Sequence, residues 1–394
     1  MVDRFLGRSG GTAGGDYIVG MNGSIWILAG EASGDTSGAR LAEELRRQAP
    51  AVALRGMGGP AMRTAGVELL VDSSRLGVIG LVEVLRHLRT FLRIFKELVA
   101  RAAAERPAAV VLIDYPGFNL RFARQMKELG IPVVYYVSPQ VWAWGRGRIP
   151  EIARLVRRML VLFPFEVEVY RGTGLDVRFV GHPLIEIMDA RREAGLVREP
   201  DTVLLLPGSR YGEIARLLTP MLETVRWLWA RRPELRFVLA APNEGIAARC
   251  RVRLAAAGET AVMIDVGRTQ HWMQRAGTGL AASGTVTVEA AILGLPLVVV
   301  YRVNPLTYRL GRWLVKIPFF TMVNLVAGKR VYEEFLQGEV QAARLGPALA
   351  AILPGGPRRA EVTAGMAEAV TALGGGGQAS AEAARLVLEV AGGG

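Results

Sequence analysis

Cysteine, histidine and lysine are all scarce in this chain of 394 residues. The one cysteine, Cys250, excludes an internal disulfide and any structural zinc site built from cysteines. The three histidines, His87, His182 and His271, lie far apart in the sequence, which argues against a histidine-rich metal site. A small secreted domain held together by disulfides and a zinc-finger protein are therefore excluded.

Long uninterrupted hydrophobic runs are also missing. The best candidate for a membrane span, residues 279–301, is broken by four polar side chains and a proline, namely Ser283, Thr285, Thr287, Glu289 and Pro296. A span needs about 20 predominantly apolar residues. Residues 1–21 are rich in glycine and lack the apolar core of a signal peptide. We expect them to be a disordered leader of a cytoplasmic protein, with Met21 as the better start.

Acidic residues are fewer than basic ones, 36 against 48, and the formal net charge is +12. Such an excess is typical of proteins that bind nucleic acid, an anionic membrane or phosphorylated substrates. Only four of the basic residues are lysine. Because arginine, alanine and glycine are abundant together, genomic base composition explains the charge equally well, and local clusters of charge are more informative.

Short β-rich runs alternate with helical patterns from residue 24 onward. Ten strands are predicted, at 25–29, 52–55, 109–113, 133–137, 159–162, 203–206, 236–240, 262–265, 279–281 and 297–300. Continuous apolar strands separated by helices predict parallel sheets that are covered on both faces. Since residues 186–200 are polar and irregular, we predict an α/β fold of two doubly wound, Rossmann-like domains, 22–185 and 186–345, and a helical tail, 346–394.

Carboxylates follow two predicted strands of the first domain. Glu31 and Asp35 come after the strand at 25–29, and Asp114 comes directly after the strand at 109–113. Ligands of open parallel sheets bind at the carboxyl ends of the strands, where carboxylates suit sugar hydroxyls or acid–base chemistry. In the structural alternative, Asp35 is a helix N-cap, Glu31 a turn residue and Asp114 a loop anchor.

Two loops of the second domain combine small residues with the start of a helix. They contain Gly208, Ser209 and Arg210 after one strand, and Ser283, Gly284 and Thr285 after another. Small residues let backbone amides approach a phosphate, and a guanidinium binds it in a bidentate manner. Glu289 follows the second loop by one helical turn and suits a ribose. Together the two loops predict a diphosphate site.

Eight motifs in order along residues 24–337 are recognisable as a set. They are GEASGD (30–35), GxxGLVEVL (77–85), DYPGFN (114–119), YVSPQVWAW (136–144), FVGHP (179–183), LLPGSR (205–210), ASGTxTxE (282–289) and NLVAG…EFLQ (324–337). This set resembles the lipid-A-disaccharide synthase family. The resemblance implies a GT-B glycosyltransferase, with two Rossmann-like domains facing each other across a cleft that holds the active site.

The resemblance also implies the reaction. UDP-2,3-diacylglucosamine is the donor, 2,3-diacylglucosamine 1-phosphate is the acceptor, and the products are a β-1,6-linked disaccharide and UDP. No metal and no other cofactor is expected. An α-linked donor that gives a β-linked product implies inversion by a single displacement, which needs a base for the acceptor hydroxyl. Asp114 is the favoured base, with Glu31 and Asp35 as rivals or positioning partners.

The remaining implied roles concern the departing UDP. Arg210 and the two small-residue loops would offset the charge on the diphosphate, and Glu289 would bind the ribose. His182, in Gly-His-Pro, would donate to the donor or a phosphate, or serve as a structural histidine of the short hinge that is expected between the two domains. Second-tier candidates for the donor site are Asn324, Glu334 and Gln337. Arg330 departs from the family, which commonly has an acidic residue there, and receives no role.

Both implied substrates are lipids of the inner membrane, and two clusters of basic and apolar residues suit its anionic surface. The first comprises Arg86, Arg89, Arg93 and Lys96 on one helical stripe, and the second lies at residues 309–320. The structural alternative is an ordinary helix packed on a sheet. A related UDP-sugar enzyme would lack GEASGD together with SPQVWAW, and a dehydrogenase would need GxGxxG. We expect no nucleic-acid partner, because no motif that reads DNA is present.

Overall fold

A computed structural model describes residues 23–75, 81–143, 145–304, 308–309, 317–374 and 377–393, and the side chains of 75 and 81–90 are outside this description. The expected leader, 1–21, lies outside the described residues, as do the side chains of Arg86 and Arg89 and most of the 309–320 cluster. The chain divides into two compact units, Met1–Val134 with Ala383–Gly394, and Tyr135–Glu382. The domain boundaries predicted from the sequence differ from the bounds of these units, because they separate one predicted sheet from the other. They stay a prediction.

The first sheet has seven strands in the order β3-β2-β1-β4-β5-β6-β7. Their bounds are β1 Ser24–Ala29, β2 Ala53–Gly58, β3 Glu68–Asp72, β4 Ala109–Ile113, β5 Val133–Tyr136, β6 Arg158–Val161 and β7 Asp176–Phe179. The helices between and after them are α1 Ala32–Gln48, α2 Pro60–Thr64, α3 Leu81–Glu105, α4 Pro116–Glu128, α5 Ile149–Leu155, α6 Phe165–Val169 and α7 Leu184–Asp189. Strand β1 pairs in parallel with both β2 and β4, so that Ile25 lies opposite Leu54 and Ala109.

The second sheet has six strands in the order β10-β9-β8-β11-β12-β13. The strands are β8 Glu199–Leu206, β9 Arg236–Ala241, β10 Val262–Val266, β11 Ala276–Ala282, β12 Leu297–Tyr301 and β13 Glu333–Leu336. The helices are α8 Tyr211–Trp229, α9 Glu244–Ala256, α10 Thr269–Arg275, α11 Val286–Ile292, α12 Met322–Ala327, α13 Ala342–Ile352, α14 Arg359–Ala372 and α15 Ala379–Ala391. The predicted α/β class, with two parallel sheets and a helical C-terminal end, is confirmed.

The central strands of both sheets lie in the hydrophobic core. Residues 25–29 and 109–112 are fully buried, as are 297–300 in the second sheet. Helices cover a parallel sheet on both faces, which is why these strands read as continuous apolar runs rather than alternating ones. All ten predicted strands are present: the bounds of β4 match the prediction, and the other bounds differ from it by at most four residues.

Three strands were missed, and each lies at the edge of a sheet. They are β3, β7 and β13, with the sequences ELLVD, DVRF and EEFL. An edge strand has one side without a neighbour and retains charged residues, so its apolar signal is weak. Helix α1 begins at Ala32, so the carboxylate motif forms its first turn.

Replacement of Gly56 tests the pairing of β1 with β2. Gly56 lies opposite Ile27, and an added Cβ would be 2.0 Å from the Ile27 carbonyl oxygen. We expect Gly56→Ala to lower the free energy of unfolding by about 2–3 kcal/mol, as overpacking of a buried site does. Gly117→Ala is the control, because an added Cβ there meets no atom within 4 Å. Urea unfolding followed by circular dichroism would contradict the register if both variants were as stable as the parent.

Candidate functional site

The strand order reverses once in each sheet. The chain moves outward from β1 to β2 and β3 and then returns to β4 on the other side of β1, and the second sheet repeats this with β8 and β11. Loops that leave two adjacent strands at such a reversal diverge, and the crevice between them is where α/β proteins bind ligands. The predicted carboxylate loops follow β1 and β4, and the predicted phosphate loops follow β8 and β11. Each sheet therefore brings its own pair of candidate loops together.

The loop after β4 holds Asp114 in an unusual conformation. Asp114 and Tyr115 have φ values of 43° and 47°, in the left-handed region that non-glycine residues avoid. The side-chain amide of Asn119 donates to the carbonyl oxygens of Ile113 and Asp114, at 3.1 and 2.7 Å. Strain of about 1–3 kcal/mol per residue persists only where the surroundings impose it, typically at functional sites.

Gly30 provides the space for this loop. A Cβ at Gly30 would lie 2.4 Å from the Tyr115 ring, so the ring rests directly on the backbone at the end of β1. The two loops of the first sheet are therefore in contact through a glycine and an aromatic ring. Glu31, the next residue, is exposed and serves as the N-cap of α1 without a side-chain hydrogen bond to the helix.

Asp114 and Glu31 are electrostatically coupled. Burial raises the pKa of Asp114 above its ordinary value, and the negative charge of Glu31 raises it further, against a hydrogen bond from the Tyr115 backbone. Burial and Glu31 likewise raise the pKa of the Tyr115 hydroxyl. A carboxylate whose ionised form is disfavoured accepts a proton more readily. The arrangement is that of a candidate general base.

The Asp35 carboxylate binds the backbone of another helix instead of capping its own helix, α1. Its carboxylate is 6% exposed and accepts hydrogen bonds from the backbone N–H groups of Gly59, Ala61 and Met62, at 2.7, 2.9 and 3.0 Å. These donors belong to the start of α2, so Asp35 caps α2 across the sheet end rather than its own helix. The idea of Asp35 as N-cap of α1 is wrong, because Glu31 holds that position. The three bonds favour a structural role for Asp35 over a catalytic one.

The loop after β8 presents its backbone amides to a carboxylate. Gly208 has a φ of 111°, and the N–H groups of Ser209 and Arg210 both donate to Oε2 of Glu213, at 3.0 and 3.2 Å. The Arg210 guanidinium lies 3.4 Å from Oε1 of the same residue and is 85% exposed. Glu213 was missed by the sequence analysis, although an acid three residues after an N-cap is the signal of a capping box.

The loop after β11 is more open. Gly284 and Thr285 are exposed, and the Ser283 N–H donates to the Val300 carbonyl oxygen at 2.9 Å. Glu289 is half-buried, and its Oε2 accepts a hydrogen bond from the Gln270 side-chain amide at 3.0 Å. Because β8 and β11 are neighbours in the sheet, Arg210 and Ser283 follow adjacent strands.

The second-tier candidates are bound within the protein. Asn324 is fully buried: its Oδ1 accepts from the N–H groups of Val331 and Tyr332, and its Nδ2 donates to Glu334 at 2.9 Å. Glu334 also accepts from the backbone and hydroxyl of Thr321. These bonds anchor the start of α12, so they support the edge of the site rather than offering groups to a ligand.

Gln337 and Arg330 complete the segment around β13. The Gln337 side-chain amide pairs with the backbone of Val303, accepting at 2.8 Å and donating at 3.1 Å. Gln337 thereby holds the chain just beyond β12. Arg330 forms a 3.6 Å ion pair with Glu333, which is compatible with a surface role for this departure from the family pattern.

His182 is half-buried and lies beside an aromatic ring. Its Nδ1 accepts from the Leu184 N–H at 3.2 Å, its ring contacts Phe163 edge-to-face, and burial lowers its pKa to about 4. The imidazole is therefore neutral near pH 7. This setting favours the structural alternative for His182.

Glu166 is a buried acid that the sequence analysis missed. It is 3% exposed and accepts from the Trp142 indole at 3.3 Å and from the Phe163 N–H at 3.2 Å, and burial raises its pKa to about 7. The bond from the indole orients Trp142 within the SPQVWAW motif. This motif begins directly after Val137, which has a strained φ of 66°. Only the tertiary structure brings these residues together.

Metal-ligating side chains are dispersed. Among the residues that the structure describes, no three His, Cys, Asp or Glu side chains are grouped closely enough to hold a metal ion.

Comparison with solved structures concerns the fold alone. The UDP-GlcNAc 2-epimerase of Neisseria meningitidis, bound to UDP-GlcNAc, is similar with a TM-score of 0.61 and 11% identity over 93% of this chain and 99% of that one. The UDP-GlcNAc 2-epimerase of Methanocaldococcus jannaschii has a TM-score of 0.57 and 13% identity, over 92% of this chain and 98% of that one. Both likenesses extend across the two sheets.

Comparison of sequences is more specific. The lipid-A-disaccharide synthase of Myxococcus xanthus is 42% identical over 374 residues, which are 93% of this chain and 97% of that protein. The enzyme of the same name from Geobacter metallireducens is 42% identical over 378 residues, 94% of this chain and 98% of that protein. The family model for lipid-A-disaccharide synthetase matches residues 25–387. The resemblance is confirmed, and the chain belongs to the lipid-A-disaccharide synthetase family.

Proposed function

We propose that this protein is the glycosyltransferase that joins two acylated glucosamines in lipid A biosynthesis. The donor is UDP-2,3-diacylglucosamine, the acceptor is 2,3-diacylglucosamine 1-phosphate, and UDP is released. The family match over residues 25–387 supports the reaction. The observation that carries the chemistry is the pair of switch points, which have carboxylates in one sheet and phosphate-type loops in the other.

Activation of the acceptor is assigned to the first sheet. The Asp114 carboxylate takes the proton from the acceptor hydroxyl as that oxygen attacks the anomeric carbon of the donor sugar. Burial and the neighbouring Glu31 make Asp114 more basic than an ordinary aspartate, which suits this transfer. The Asn119 bonds keep the strained loop, and hence the carboxylate, in place.

Departure of UDP is assigned to the second sheet. Negative charge develops on the diphosphate when the glycosidic bond breaks, and the Arg210 guanidinium with the amides of the loop after β8 offsets it. The loop formed by Ser283, Gly284 and Thr285 provides further backbone contacts from the adjacent strand. Glu289, oriented by Gln270, accepts from the ribose hydroxyls. Asn324, Glu334 and Gln337 hold the neighbouring segments.

Contact with an anionic inner-membrane surface is assigned to helix α3. Among the described residues, each helix is either too short or too polar to span a bilayer. On α3, Arg93 and Lys96 are exposed and Leu92 is 48% exposed, while Phe95 packs edge-to-face on Phe118. An exposed apolar residue beside basic ones is the pattern of a surface that lies on a membrane. We propose a peripheral protein of the inner membrane.

Replacement of Asp114 and of Arg210 tests the two assigned roles separately. We expect Asp114→Ala to lower kcat about 10²–10⁴-fold, the usual contribution of a general base, while the Kd for UDP stays near that of the parent. Arg210→Ala should weaken UDP binding as well. Turnover of both acylated sugars with EDTA present, together with calorimetry of UDP, gives both quantities. Normal turnover by Asp114→Ala would remove Asp114 from the mechanism.

The coupling between Glu31 and Asp114 predicts a pH effect. The charge of Glu31 raises the pKa of Asp114, so Glu31→Gln should lower that pKa. The base would then stay ionised to lower pH, and the acidic limb of the kcat/KM profile should move to lower pH. Glu43→Gln, an exposed acid of the same helix, should leave the limb in place. An acidic limb that does not move in Glu31→Gln would contradict the coupling.

Neutralisation of helix α3 tests the membrane surface. Each basic residue near an anionic leaflet contributes about 1 kcal/mol, so Arg93→Gln with Lys96→Gln should weaken binding to vesicles with anionic lipid about 10–30-fold. The matched control is Arg236→Gln with Arg253→Gln, two exposed arginines of the second sheet's domain. Vesicle sedimentation at low and high salt is the measurement. Equal binding by the α3 variant and the parent would rule out this surface.

A further inference from the structure

We propose that the Glu213 carboxylate occupies the binding position of the diphosphate in the free protein. The carboxylate is expelled from this position when UDP binds. The inference rests on the proposed function of the loop after β8. It adds a residue that competes with the nucleotide and so favours its release.

One carboxylate engages the donors that this loop offers to an anion. Oε2 of Glu213 accepts from the N–H groups of Ser209 and Arg210 at 3.0 and 3.2 Å, and Oε1 lies 3.4 Å from the Arg210 guanidinium. Backbone N–H groups at a helix start together with a guanidinium form the usual cradle for a phosphate oxygen. Glu213 therefore lies where a phosphate oxygen would be bound.

Gly208 shows how closely the carboxylate enters the loop. An added Cβ at Gly208 would lie 2.3 Å from Oε2 of Glu213, and the φ of 111° turns the backbone so that this face is open. A glycine that lets an anion approach the backbone is the device that phosphate loops use. Here the anion is supplied by the protein.

The nucleotide and Glu213 cannot both use this cradle. Two unit charges about 4 Å apart repel each other by about 4 kcal/mol at the effective dielectric near a protein surface. The backbone of Glu213 is fixed, because its N–H donates to the Arg210 carbonyl oxygen at 3.0 Å within α8. The side chain must therefore rotate outward for UDP to bind, and its return would help to displace UDP after the reaction.

A purely structural role predicts the opposite result. If Glu213 only caps α8 and preorganises the loop, loss of its charge weakens the loop and leaves UDP binding unchanged or weaker. Glu213→Gln separates the two roles, since the glutamine keeps the length and an oxygen acceptor but removes the charge. The matched control is Glu223→Gln, an exposed acid about 15 Å further along the same helix, by the rise per residue.

Calorimetric titration with UDP and with uridine tests the proposal. We expect Glu213→Gln to bind UDP at least about fivefold more tightly than the parent, with uridine affinity unchanged because uridine lacks the diphosphate. Glu223→Gln should match the parent for both ligands. If Glu213→Gln folds poorly, Glu213→Asp withdraws the carboxylate by one methylene and should change UDP affinity in the same direction.

The possible outcomes distinguish a failure of this inference from a failure of the proposed function on which it rests. Normal UDP binding by the parent, weakened in Arg210→Ala but not strengthened in Glu213→Gln, would overturn the role of Glu213 alone. A parent that binds no UDP, or an Arg210→Ala variant that binds it normally, would overturn the assignment of this loop to the diphosphate, and the inference with it.

Discussion

Parallel pairing of strands is the constraint on which the rest of this structure depends. A parallel neighbour can be reached only by a crossover, usually a helix on one face of the sheet. A sheet built outward in both directions from one strand must then reverse once, at β1 with β4 and at β8 with β11. At each reversal two strand ends release loops that diverge. The acidic loops and the phosphate-type loops stand at these two places, so the candidate chemistry follows from topology before any side chain is considered.

Acidic residues near the strand ends fall into two groups with different energetics. Asp35 and Glu334 each accept at least three hydrogen bonds from donors of their own unit, and their charge is thereby used to hold neighbouring segments. Asp114, by contrast, has a raised pKa from burial and from Glu31. A carboxylate that holds several donors stabilises structure, whereas one whose charged form is disfavoured by burial and by a neighbouring negative charge is suited to take up a proton.

Much of this arrangement could be predicted from the sequence because the central strands are buried on both faces. The runs at 25–29 and 109–113 are apolar without interruption, and the residues directly after them are necessarily at the ligand-binding end of the sheet. The edge strands β3, β7 and β13 escaped prediction because half of each is not enclosed. The hydrogen-bond partners of the acidic residues could not be predicted either. The Asp35 bonds to Gly59 and Met62 join residues more than 20 positions apart in the sequence, and the Glu166 bond to Trp142 joins residues 24 positions apart. Such pairs depend on packing that no local pattern contains.

The central claim is that the nucleotide binds at the carboxyl ends of β8 and β11, and hydrogen–deuterium exchange with and without UDP tests it most directly. The account predicts that UDP slows exchange in peptides that cover residues 207–213 and 283–289. Peptides at the opposite ends of the neighbouring strands β9 and β10, at 232–235 and 258–261, should not change. Protection confined to those opposite ends, or absent from 207–213 and 283–289 at saturating UDP, would contradict the account.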